Sequence, residues 1–101
     1  MNKKPLNLTA YGNRTVEFII NGKLISIPEL SYKDMKTVAE YEENESSTQA
    51  DELRIVKWLL NKNTSGEKFT DEDIYALPAG AIGRIYRECV LLPRQALADP
   101  N

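Results

Sequence analysis

Between Val16 and Pro28 the chain reads VEFIINGKLISIP, two apolar runs of alternating character on either side of Asn21-Gly22. Asn-Gly supplies the positive φ angles that a two-residue type I′ turn needs, so this stretch predicts an antiparallel hairpin. Counting outward from the turn, Ile20 faces Lys23, Ile19 faces Leu24, Phe18 faces Ile25, Glu17 faces Ser26 and Val16 faces Ile27. Side chains alternate across a strand, so Val16, Phe18, Ile25 and Ile27 share the core face. The other face carries Glu17 and Ser26, with Ile19 and Leu24 near the turn. A lone hairpin is marginal in water and must pack on the rest of the chain.

After Pro28 the apolar period lengthens from two to that of a helix. Ser31 and Asp34 in SYKD mark a helix start, with Met35, Val38 and Ala39 at helical spacing and an end near Glu43. Glu40 to Glu52 is acidic with no basic residue, and its middle, NESSTQ, is an aperiodic loop. A second helix is expected from Thr48–Asp51 to about Lys62. Leu53, Val56 and Leu60 form one stripe there, Ile55 and Leu59 a second, and Trp58 widens the arc. A helix apolar around so much of its circumference is either central in the core or has a partner. NKNTSGEK reads as a loop around Gly66. Thr70 and Asp73 start a short third helix, which Phe69 can staple against Ile74 and which ends by Leu77, before Pro78. A fourth helix is expected from about Ala81 to Leu92, stopped by Pro93.

The predicted fold is therefore α+β: an N-terminal antiparallel β-hairpin followed by three or four α-helices. Residues 14–92 form a single globular domain on this reading, between a mobile leader, 1–13, and a mobile C-terminal tail, 93–101. The chain has 101 residues, enough to bury a core without disulfides or metal. No apolar run approaches the roughly 20 residues of a membrane span, and the leader lacks the apolar segment of a signal peptide.

Candidate chemistry changes the picture mainly by what is missing. The sequence contains no histidine, which removes histidine-dependent triads, Cys-His dyads and most zinc sites. Cys89 is the only cysteine. It falls on the apolar stripe of the fourth helix, near the C-terminal end, where nothing activates a thiol, so it reads as a structural residue. The acidic run does not match the ligand spacing of an EF-hand and reads as a solvated surface. Gly80 and Gly83 lack the preceding strand of a phosphate-binding loop. No catalytic residue, metal ligand or cofactor is expected. The formal net charge of −2 creates no global attraction for nucleic acid. A helix-turn-helix can be drawn over FTDEDIYALPAGAIGRIYR, but it offers only Arg84 and Arg87 as cations after an acidic first helix. A small regulatory nucleic-acid binder with such a C-terminal half is the alternative function.

The order of these signals resembles that of a known family. The hairpin VEFIINGKLISIPEL, a helix opening SYKDMKTVAEY, a polar spacer, a long helix and the closing FTDEDIYALPAGAIGRIYRECV resemble the tail assembly chaperones of long-tailed bacteriophages and prophages. The resemblance spans roughly Val16 to Leu92 and rests on length, element order and the Phe-Thr-Asp-Glu-Asp helix start at Phe69–Asp73. It implies a non-enzymatic protein that binds apolar helical segments of the tape-measure protein before the tail tube polymerises. The tape-measure protein, and with it the tail tube protein, would be the partners. The location would be the cytoplasm of the bacterial host, with the protein absent from the mature virion.

The residues themselves supply candidate partner-binding positions. Ile19 and Leu24 pair across the outer hairpin face, and Trp58 extends the apolar arc of the second helix. On a continuous fourth helix, Ile82, Ile85, Tyr86, Cys89 and Leu92 lie within an arc of roughly 120°, and Leu91 points about 180° from Ile82, at about 100° per residue. Leu91, beside Val90, is then an exposed apolar patch for a partner or a second copy. Weak self-association through the hairpin and its unpaired edges is a further expectation.

Overall fold

The computed structural model describes residues 14–44 and 48–93, together with Pro5. The expected leader (Pro5 apart), the middle of the acidic spacer and the tail beyond Pro93 lie outside the described residues. The architecture is α+β, with a two-stranded antiparallel sheet followed by four helices. β1 (Thr15–Ile20) and β2 (Lys23–Pro28) pair in the register counted from the turn, from Thr15 opposite Pro28 to Ile20 opposite Lys23. Asn21 has φ 52° and Gly22 φ 77°, the left-handed pair that a type I′ turn requires.

Three of the helices begin with the same device. α1 (Tyr32–Glu43), α2 (Gln49–Leu60) and α3 (Asp71–Tyr75) are capped by Ser31, Thr48 and Thr70. In each, the cap hydroxyl accepts from the backbone N–H three residues on, and the aspartate there (Asp34, Asp51 or Asp73) accepts from the cap's own N–H. Two otherwise orphaned donors are satisfied at each start, and the carboxylate suits the positive end of the helix. α4 (Ala79–Tyr86) starts two residues earlier than expected, directly after Pro78.

α2 is the element on which the others meet. It packs against α1, β2, α3 and α4. Ile55, Val56, Leu59 and Leu60 are all buried, so both of its apolar stripes are covered from within the chain. They join Ile25 and Ile27 of β2, Val38 of α1, Phe69 and Ile74 around α3, Ile85 of α4, and Cys89 and Val90 beyond α4. Each such aliphatic side chain contributes about 1.5–3 kcal/mol when fully removed from water. β1 lies at the margin: Val16, Phe18 and Ile20 touch this core but stay half-buried.

The fourth helix corrects the expectation for Val90 and Leu91. After Tyr86 the backbone widens into a π-helical turn, Arg87–Leu91, in which the Leu92 N–H donates to the Arg87 carbonyl five residues back. A π turn takes in one extra residue, which sets everything after it back by about 100°. Val90 thereby swings into the core, at 1% exposure, and Leu91 packs half-buried against it. The apolar patch expected at these two positions does not form, and helical backbone runs on through Pro93.

The loop after α2 is held by two asparagines. The Asn61 side chain accepts from the Phe69 N–H at 2.7 Å and donates to the Phe69 carbonyl at 3.0 Å. Asn63 donates to the carbonyls of Leu60 and Glu67 and accepts from the N–H groups of Ser65 and Glu67. The loop so shaped docks on the outer edge of β2. Thr64 N–H donates to the Ser26 carbonyl at 2.9 Å, and Ser26 N–H donates to the Ser65 hydroxyl at 3.0 Å.

Two stability tests follow from this scaffold. Asn63→Ala removes four hydrogen bonds to the backbone, three of them partly buried, and is expected to cost about 1–3 kcal/mol in urea unfolding. Leu59→Ala, at the centre of α2, is expected to cost about 2–5 kcal/mol. A third test concerns pH. Burial pushes the Asp34 carboxyl up, but hydrogen bonds from Lys62 and Ser31 outweigh this and hold it below its ordinary value. The Thr70 backbone and hydroxyl likewise hold Asp73 low. A carboxyl depressed in the folded state stabilises fully above its unfolded pKa and loses that contribution as pH falls through the folded one. The melting temperature is therefore expected to fall below about pH 4. Asp34→Asn should lower it at neutral pH and flatten the acid limb, as read by circular dichroism.

Candidate partner-binding surface

The outer hairpin face exposes a cross-strand apolar pair, because the alternation that sends Ile25 and Ile27 inward must send Leu24 outward. Ile19 is 77% exposed and Leu24, directly opposite, 55%. Two more large side chains are exposed that sequence reasoning did not single out, Tyr32 and Tyr75. Both stand on helices whose apolar stripes point elsewhere, and neither position differs in sequence from an ordinary helix surface.

Beside the hairpin lies an open groove of about 320 Å³. One wall is the turn end of β1, with Phe18, Ile19, Ile20 and Asn21. The other is the α3–α4 corner, with Leu77, Pro78, Ala81, Arg84 and Ile85. The groove is mostly apolar. Its cation, Arg84, forms an ion pair with Glu88 one turn on, at 2.8 Å. Leu77, Pro78 and Ala81 come from a stretch that reads in sequence only as a helix–helix turn. Their role as a wall depends on where the corner packs, and no local pattern signals it.

Trp58 lies elsewhere. It lines a separate cleft between α1 and α2, with Thr37, Tyr41, Asp51 and Arg54 among its neighbours. The Lys62 ammonium sits 4.7 Å from the centre of the indole ring and also pairs with Asp34 at 2.7 Å. One face of the indole is thus occupied by a cation held in place by a carboxylate. The five candidate residues are not brought together: Ile19 and Leu24 form one surface patch, Trp58 lines a second depression, Val90 belongs to the core and Leu91 packs half-buried against it.

The remaining chemistry of the chain is muted. Cys89 is buried, and burial, with the neighbouring Glu88 charge, pushes its thiol up to about 12. At neutral pH it is a protonated core residue. Among the described residues no group of three or more His, Cys, Asp or Glu side chains is placed to hold a metal ion. No helix among them is long and apolar enough to cross a membrane. Compared with family models, with curated proteins and with solved structures, the chain matches none.

Ile19→Ser and Leu24→Ser are expected to leave stability within about 0.5 kcal/mol of the parent, as for surface changes. Urea unfolding checks this. A thiol reagent should leave Cys89 untouched in the native protein and titrate it only after unfolding.

Proposed function

We propose that this protein is a non-enzymatic tail assembly chaperone of a long-tailed phage or prophage, which binds apolar helical segments of the tape-measure protein in the host cytoplasm and leaves before the virion is complete. The observation that carries the reading is the apolar groove between the hairpin and the α3–α4 corner, continued at its lip by exposed Ile19. A helix about 10 Å wide presents apolar anchors at i, i+3 and i+4, and a groove of this size takes the side chains of one or two turns. The order of hairpin and helices along the chain agrees with the resemblance in sequence. The helix-turn-helix alternative is weaker: the first turn of α3 carries Asp71, Glu72 and Asp73, and Arg84 is tied to Glu88.

Co-expression tests the proposal. The tape-measure protein encoded beside this chain should become more soluble and co-purify with it. Ala81→Glu, which sets a charge on the groove wall, should keep the fold by circular dichroism and lose the effect. An unchanged soluble yield with no co-purification of the parent protein would overturn the assignment to that partner.

A further inference from the structure

The two edges of the hairpin differ. The two-residue turn makes Ile20 and Lys23 a hydrogen-bonded pair, and such pairs alternate along the ladder. On β2, Leu24, Ser26 and Pro28 therefore turn their backbone groups outward. That edge is blocked beyond Leu24: the Thr64–Ser65 loop satisfies both groups of Ser26, and Pro28 has no N–H to offer. On β1, the outward residues are Thr15, Glu17 and Ile19. Their backbone groups meet no partner among the described residues. β1 carries no proline, no lysine and only one charge, Glu17, so it lacks most devices that protect an edge strand. Its inward side chains, Val16, Phe18 and Ile20, are half-buried where Ile25 and Ile27 of β2 are fully covered. The sheet stops one strand short of burying its own core face.

We propose that β1 is a self-pairing edge, on which a second copy of this chain docks its own β1 antiparallel across a two-fold axis at Phe18, giving a four-stranded sheet. Three registers let the outward groups of β1 pair with themselves, and the side chains choose among them. An axis at Glu17 sets like charges directly opposite, which is destabilising. An axis at Val16 pairs Thr15 with Glu17 and leaves Ile19 beyond the end of the partner strand. An axis at Phe18 sets Phe18 against Phe18 and Val16 against Ile20 on the core face, covering all three half-exposed side chains. On the outer face it sets Glu17 against Ile19, with no like charges opposed. A two-fold contact uses the same patch on both copies, and the core-face positions Val16, Phe18 and Ile20, symmetric about Phe18, meet that condition. This association belongs to the free protein and stands independently of the chaperone reading.

The test is a sedimentation series on the full chain, with mass expected to rise from 11.4 kDa toward twice that value. Ile19→Pro deletes an outward N–H without removing a ladder bond and should weaken association at least about tenfold. Leu24→Lys, on the same outer face but on β2, should leave it unchanged. Under mild oxidation Phe18→Cys should form a cross-linked dimer, since residues opposite each other on the axis bring their Cβ atoms close. Glu17→Cys, displaced by two residues from its copy, should not, and this pair decides the matter even if Ile19→Pro fails to fold. A constant monomer at every concentration overturns the proposal. So does a Leu24→Lys variant that abolishes association, which would mean that the faces stack. Association only after removal of residues 1–13 would also overturn it, by assigning the edge to the chain's own N-terminal segment.

Discussion

The burial of α2 on all its apolar sides is the constraint on which this structure depends. A chain of this length has little apolar surface to spare, and a helix with two adjacent stripes must find cover for both. Here β2, α1, α3 and α4 each supply part of it. The hairpin could not persist alone, and α3 is a turn and a half long. Both are held because each gives buried residues to the shared cluster: Ile25 and Ile27 from one, Ile74 from the other.

Polar contacts place the elements around that centre. The three capping boxes say where α1, α2 and α3 begin, and they use up aspartates that would otherwise suggest acid–base chemistry. Asn61 and Asn63 replace secondary structure in the loop after α2, satisfying the backbone groups of a segment with no ladder of its own. The loop then closes one edge of the sheet through Ser26 and leaves β1 open. Asp34 both caps α1 and holds Lys62 over Trp58, which links the start of α1 to the end of α2. These contacts lie at partly exposed positions, so they orient the elements more than they stabilise them.

The candidate partner surface is what this packing leaves over. The groove exists because β1 and the α3–α4 corner approach the core from different sides without meeting across it. The π turn works the other way, withdrawing Val90 and Leu91 from the surface. A helix of regular pitch would have spread its last apolar residues over two faces. One extra residue in the turn gathers Cys89 and Val90 into one buried face.

The hairpin and its register, the three capped helix starts and the exposure of Ile19 and Leu24 were determined by the sequence itself. Each rests on residues within a few positions of one another: Asn21-Gly22 for the turn, Ser31 with Asp34 and Thr70 with Asp73 for the caps, and alternation for the strand faces. The two stripes of α2 showed that it needed cover on both sides, but whether its own chain or a partner would provide it was decided by packing. The rest was tertiary from the start. The π turn at Arg87–Leu91 has no signature in its residues, because a local widening is selected by the core that Val90 enters rather than by the propensity of the segment. The groove wall at Leu77, Pro78 and Ala81, the cation seated on Trp58 and the difference between the two sheet edges all join residues far apart in sequence. They arise only when separate elements come to rest on α2, and no spacing along the chain encodes them.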